Sequence, residues 1–209
     1  SQNTALSYLS CAGNQLTNLD LSQNTALTYF YCDSNQLSSL DLSQNTSLNT
    51  LYCGGNQLTN LDLSQNTALT YLECWSNQLT NLDVSQNTAL TTLYCSYNQL
   101  GSLDLSQNTA LTYLYCEYNQ LYNLDLRNGN NTNFNQIRAY GNPNLSCVSV
   151  DNVPYCDSSW TGGQFSFDSQ VYFSNNCAAI TCFRPTNLGA SFPVSDSVLL
   201  TWTPGANEN

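Results

Sequence analysis

Short runs of alternating apolar and polar residues, repeated at a fixed interval, dominate this chain. Cys11, Cys32, Cys53, Cys74, Cys95 and Cys116 lie 21 residues apart. Around them runs L-x-x-L-x-C-x-x-N-Q-L-x-x-L-D-L-S-Q-N-T-A, in six nearly identical copies from Leu6 to about residue 131. Each copy holds two leucine patterns, L-x-x-L-x-C-x-x-N-Q-L and L-x-x-L-D-L-S-Q-N. Both alternate inward apolar with outward polar positions over about five residues, the period of a strand. Half a copy leaves no room for a helix between strands. The pattern therefore predicts two short strands and two tight Asn-rich turns per coil, stacked into an all-β solenoid with two parallel sheets. One coil cannot bury its own leucines, whereas a stack shares a continuous core.

At this point the sequence resembles the nested 21-residue class of bacterial leucine-rich repeats, with consensus L-x-x-L-x-C-x-x-N-x-L-x-x-L-D-L. The match covers residues 1–131. The resemblance implies a short-coil solenoid on secreted or surface-attached proteins, common in Bacteroidota, with binding or adhesion as the usual role.

Each repeat position has a physical reading. Leu27 and Phe30 point inward with Cys32, and their equivalents form the core. Asn14, Asn35, Asn56, Asn77, Asn98 and Asn119 are expected to form a turn ladder whose amides satisfy backbone groups of their own and the adjacent coil. Asn24, Asn45, Asn66, Asn87 and Asn108 offer a second ladder at the other turn. In-register cysteines on coils ~4.8 Å apart point the same way, which holds their Cβ atoms beyond the ~3.8 Å of a relaxed disulfide. They are expected to stay reduced and to act as small hydrophobes. No C-x-x-C spacing suggests zinc. Asp20, Asp41, Asp62, Asp83, Asp104 and Asp125 line the outer face of the second strand. Calcium wants six to eight oxygens and one Asp per coil is thin, so a solvated row is the favoured reading and no metal or cofactor is assigned.

The copies differ at the outward positions of the first strand and just after it. These hold Tyr29, Tyr31 and Asp33 in the second copy, Tyr52 in the third, and Tyr71, Glu73 and Trp75 in the fourth. Tyr94 and Tyr97 follow in the fifth, then Tyr113, Tyr115, Glu117 and Tyr118 in the sixth. One face is thus an aromatic field dotted with acids, of the kind that marks recognition surfaces. The competing reading is that stacked tyrosines only stabilise a parallel sheet.

The pattern decays at Phe134, Ile137, Ala139 and Asn142 after a two-residue insertion near Gly129, as a terminal cap should. The following N-P-N-L-S-C-V-S-V-D-N-V-P-Y-C-D-S-S-W and F-S-N-N-C resemble the C-terminal cap of these repeats in Bacteroidota surface proteins. Asn142, Pro143, Leu145, Cys147, Val150, Asp151, Val153, Trp160, Phe173 and Cys177 carry that match. Four cysteines outside the ladder allow three pairings. Cys156 and Cys182 are additions to the family pattern, which implies Cys147 with Cys177 and leaves Cys156 with Cys182. From Arg184 the chain resembles the first two strands of a fibronectin type III domain, with Trp202 at its core position. The domain reading is a solenoid at 1–133, a degenerate coil and cap at 134–183, and a truncated β-sandwich at 184–209. The parent protein is expected to be longer at both ends. Asp196-Ser197-Val198 looks like a Bacteroidota O-glycan acceptor, a match chance also produces, and Asn45, Asn130 and Asn144 fit the N-glycan sequon.

Composition narrows the function. Three Arg, no Lys and 14 acids give a net charge of −11. That leaves no basic patch for nucleic acid or anionic membranes. His is absent, which removes the usual general base and every Ser-His or Cys-His nucleophile pair. Paired carboxylates recur identically in each coil with no unique cleft, so no enzymatic activity is expected. No apolar run approaches the ~20 residues that span a bilayer. The sequence reads as an extracellular or outer-surface binding or adhesion module, holding a protein or polysaccharide on its aromatic face. The alternatives are a spacer or filament subunit that self-assembles, and an accessory module of a secreted enzyme. Replacing Tyr31, Tyr52 and Tyr94 with Ser is expected to abolish binding while leaving stability nearly unchanged.

Overall fold

A computed structural model describes residues 3–177. The first leucine pattern of every copy forms a three-residue strand with its central apolar residue inward: β1 (Tyr8–Ser10), β2 (Tyr29–Tyr31), β3 (Thr50–Tyr52), β4 (Tyr71–Glu73) and β5 (Thr92–Tyr94). The same position gives β7 (Tyr113–Tyr115), β9 (Gln136–Arg138) in the degenerate coil and β11 (Phe165–Ser166) in the cap. These eight stack in parallel in the order β1-β2-β3-β4-β5-β7-β9-β11. Their register is uninterrupted: Phe30, Leu51, Leu72, Leu93, Leu114 and Ile137 sit opposite one another. The two-residue insertion is absorbed by a 3₁₀ turn at Asn131–Asn133, so Ile137 returns to register.

The second sheet is smaller than the repeat pattern predicts. It holds β6 (Ser102–Asp104), β8 (Asn123–Leu126), β10 (Cys147–Val150) and β12 (Tyr172–Ser174), in the order β12-β10-β8-β6 and all parallel. In the first four coils the same segment forms no ladder. The flanking amides bond alike with and without a ladder: Leu58 donates to the Asn77 Oδ1 and Ser64 to the Asp62 Oδ1 in the third coil, as Leu100 does to the Asn119 Oδ1 and Ser106 to the Asp104 Oδ1 around β6. A regular ladder forms only where the cap supplies β10, whose Val148 and Val150 suit a strand.

The core is one continuous cluster. Cys32, Cys53, Cys74, Cys95 and Cys116 are wholly enclosed within it and free, Cys11 is half-buried and free, and Leu27, Leu48, Leu69, Leu90 and Leu111 pack beside the column. Burial drives these thiols up, Cys74 to about 12, so they stay protonated and inert.

The two asparagine ladders are not equivalent. In the first, Asn77 accepts from Leu58 N at 3.0 Å and donates to the carbonyls of Cys53 at 3.0 Å and Cys74 at 3.1 Å. Asn35, Asn56, Asn98 and Asn119 repeat this. In the second, Asn66 donates to Leu42 O and Asn45 O, but the Oδ1 atoms of Asn24, Asn45, Asn66, Asn87 and Asn108 are buried and accept nothing. Asn45 is 1% exposed, which removes it as a glycan acceptor.

The cap contains the one α-helix among the described residues, α1 (Val153–Ser159), where the repeat pattern gave only strands. Asn152 caps it by accepting from Tyr155 N, the usual asparagine N-cap. Just beyond, Trp160 is buried and closes the open end of the leucine core against Phe134, Phe165 and Phe173. A Cys147–Cys177 disulfide ties β10 to the segment after β12. Cys156 is buried and has no disulfide partner among the described residues. Cys182, the fibronectin-like strands from 184 and the Asp196-Ser197-Val198 motif lie outside them.

Candidate ligand-binding face

Strand register turns the variable positions into rows across the eight-stranded sheet. One row runs Tyr29, Thr50, Tyr71, Thr92, Tyr113, Gln136 and the next Tyr31, Tyr52, Glu73, Tyr94, Tyr115, Arg138. Cross-coil backbone bonds just past the strands, such as Ser34 N to Gly54 O and Tyr97 N to Glu117 O, align a third row of Asp33, Gly54, Trp75, Ser96 and Glu117.

The second row is a stack of rings. Tyr31 and Tyr52 lie 4.4 Å apart, Tyr52 and Tyr71 5.0 Å, and Tyr94 and Tyr115 4.1 Å at an interplanar angle of 7°. Where Glu73 interrupts the row, Tyr71 leans across from the adjacent row and carries the column on to Tyr94 at 5.9 Å. Its hydroxyl donates to Glu73 Oε1. Burial and this bond hold the Tyr71 phenol well above its ordinary range. Arg138 ends the column, its guanidinium 5.4 Å from the Tyr115 ring centre, within cation–π reach. The Gln136 amide, with its oxygen toward Arg138, accepts from Nε at 3.0 Å and Nη2 at 3.1 Å.

A second, separate stack stands at the turn after the strands. This turn takes a left-handed backbone in successive coils: Gly13, Ser34, Gly55, Ser76, Tyr97, Tyr118 and Gly141 all have positive φ. Five of these are Gly or Ser. Tyr97 and Tyr118 hold φ +55°, a conformation that costs a bulky side chain ~1–2 kcal/mol. Their rings stack at 4.6 Å and remain 54% and 46% exposed. Tyr140 meets Tyr118 edge-on at 5.3 Å.

Between the two stacks the face sinks into a depression of about 340 Å³. Trp75, Tyr94, Tyr97 and Tyr115 line it together with Glu73, Ser96, Glu117 and Arg138. Trp75 donates its indole N–H to Glu73 Oε2 at 3.3 Å. Glu117 is 7% exposed, and its Oε2 is enclosed with no donor. Burying a carboxylate without a partner is costly.

The structure sorts the sequence-designated residues into three groups. Tyr29, Trp75, Tyr97, Tyr113 and Tyr118 are exposed. Tyr31, Asp33, Tyr52, Tyr71, Glu73, Tyr94 and Tyr115 are half-buried in the stack, and Glu117 is buried. Asp33 accepts from Gly54 N at 2.9 Å, and burial pushes its carboxyl up to about 6. Tyr31 and Tyr52 stack on each other and Tyr94 on Tyr115, so replacing Tyr31, Tyr52 and Tyr94 with Ser would remove ring contacts within the column as well as exposed surface. Sequence reasoning missed Arg138, Ser96 and Tyr140. Arg138 occupies in Q-I-R-A the place Tyr115 holds in Y-L-Y-C, so carrying the register past Gly129 would have found it.

The Asp row has its own partners. Asp20, Asp41, Asp62, Asp83 and Asp104 each accept from the amide of the serine two residues on, at 2.9–3.0 Å. Serine hydrogen bonds hold the first four carboxyls below their ordinary range. Asp125 pairs instead with Arg127. No cluster of metal-ligating residues occurs among the described residues.

The parallel solenoid with its asparagine ladders and free cysteine column is the fold of leucine-rich repeat proteins. The functional domain of InlJ from Listeria monocytogenes, described as including a cysteine ladder, matches 83% of this chain at 33% identity and TM-score 0.65. An internalin, InlF, from the same species matches 79% at 26% identity and TM-score 0.58. YopM from Yersinia enterocolitica matches 69% at 27% identity and TM-score 0.55. The chain spans 40%, 48% and 33% of those three chains, less than half of each. No family model and no curated protein matches it.

Proposed function

We propose that this chain is the protein-binding module of a secreted or surface-attached protein, and that the partner docks on the aromatic face at its C-terminal half. The observation that carries the reading is Tyr97 and Tyr118 at φ +55°. A spacer role accounts for the half-buried column from Tyr31 to Tyr115, since stacked rings stabilise parallel strands. It does not account for two strained, exposed tyrosines where Gly would serve better. Strain accepted at exposed aromatic positions is a mark of binding sites, and Tyr and Trp are the usual anchors of protein interfaces.

An oxidising setting is supported by the Cys147–Cys177 disulfide. Among the described residues no helix is long and apolar enough to cross a membrane.

The test is an array of purified extracellular proteins and of glycans, probed with the chain and with a Trp75→Ala/Tyr97→Gly/Tyr118→Gly variant. Protein spots that bind the parent and lose the variant support the reading. Retention of every bound protein by the variant, or binding to glycans alone, overturns it.

A further inference from the structure

The geometry points to a socket for a single cationic side chain, a lysine or arginine of the protein ligand, in the depression that Glu117 lines; this rests on the protein-binding reading and specifies what the face holds.

The ingredients are an enclosed carboxylate and aromatic walls. Glu117 is 7% exposed and its Oε2 has no donor, although the residue lines a depression of about 340 Å³. That is the lower end of ligand clefts, ~300 Å³ and upward, with ample room for a lysine or arginine side chain. Trp75 and Tyr97 are among its lining residues, and aromatic rings draw ammonium and guanidinium groups. Glu73 adds a second carboxylate, already fixed by the Tyr71 hydroxyl and the Trp75 indole.

No cation among the described residues pairs with the Glu117 Oε2. The chain has no Lys or His and three Arg. Arg127 is paired with Asp125, the sole ion pair among the described residues. Arg138 is held over Tyr115 and by Gln136, and Arg184 lies outside the described residues. Arg138 on Tyr115 shows how this column receives a guanidinium at one rung, and the socket lies beside it. With a net charge of −11, the whole molecule also draws basic partners by long-range attraction. The charge signs discriminate between ligand classes. Glu117 favours a cation and Arg138 opposes it, whereas an acidic or neutral ligand reverses or removes that opposition.

The experiment titrates the whole chain with short peptides acetyl-Gly-Ser-Xaa-Ser-Gly-amide, where Xaa is Lys, Arg, norleucine or Glu, following the backbone amide of Ser96, which lines the depression, by NMR. The Lys and Arg peptides are expected to bind at least about tenfold tighter than norleucine and to weaken with salt. Glu117→Gln lowers their affinity about tenfold or more, while Arg138→Gln holds or raises it. Melting curves check that both variants fold, and Trp75→Ala provides a second loss-of-binding variant at an exposed position. Equal binding of all four peptides, preference for Glu, indifference to Glu117→Gln and Trp75→Ala, or no binding by any peptide overturns the socket. If the socket fails while array proteins still depend on Tyr97 and Tyr118, the protein-binding face stands without it. If that dependence is also missing, both fall.

Discussion

The indole of Trp75 occupies the space that a side chain on Gly54 would fill: a Cβ there would stand 2.5 Å from Nε1 and 2.6 Å from Cε2. Gly141 stands in the same relation to Tyr118, with 2.8 Å to Cδ1. The departures from the repeat are therefore matched between adjacent coils, a small residue in one making room for a large ring from another. Gly54→Ala must displace an exposed ring and little else, so stability is expected to change by less than about 1 kcal/mol. The Trp75 indole resonance should shift and ligand binding should weaken. Two-dimensional NMR with a thermal melt checks both.

The asparagine ladders differ in what their loss exposes. Asn77→Ala leaves Leu58 N and two buried cysteine carbonyls without their partner, a loss of about 3 kcal/mol or more. Asn66→Ala strands two carbonyls but no amide, because its Oδ1 accepts nothing, and should cost about half as much. Urea unfolding of the two variants gives the comparison.

Asp33 has its carboxyl raised from 3.8 to about 6, first by burial. A group whose pKa is higher in the folded state stabilises it fully below the unfolded value, and that contribution is lost as pH rises through the folded value. Stability attributable to Asp33 is therefore present below about pH 4 and gone above about pH 6. Asp33→Asn keeps an acceptor for Gly54 N and carries no charge. It should leave stability at pH 4 unchanged and raise it at pH 7.5 by about 1 kcal/mol once the half-exposed position is allowed for, read from melting curves at the two pH values.

The cysteines divide by accessibility and by bonding. A thiol reagent on the native chain should modify Cys11 first and the enclosed Cys32, Cys53, Cys74, Cys95 and Cys116 only on unfolding. Cys147→Ser opens a link spanning 30 residues and should lower cap stability by about 3–4 kcal/mol on the chain-entropy account, checked by proteolysis of the α1 region with and without reductant.

Most of the scaffold was legible because a 21-residue period leaves little freedom: Leu72, Cys74 and Asn77 must each face copies of themselves. The second sheet was less so, since leucine alternation marks which residues turn inward but not whether the backbones of adjacent coils bond along a ladder. The helix α1 lay in the non-repeating cap, where no neighbouring copy constrains the chain. At the face, the sequence showed which rings point outward. It could not show that Tyr31 and Tyr94 are packed into a column while Tyr97 and Tyr118 stand free at a left-handed turn. That distinction depends on backbone angle and on glycines one coil away.

The claim that this aromatic face serves recognition is tested most directly by Tyr97→Gly/Tyr118→Gly, measured for both thermal stability and binding to the proteins that the parent chain captures. Glycine relieves the left-handed strain at each turn by about 1 kcal/mol, offsetting about the same loss from unstacking. The account expects a melting temperature within a few degrees of the parent's and binding reduced at least tenfold. A melting temperature well below the parent's with binding intact would contradict it, and would make these tyrosines part of the scaffold.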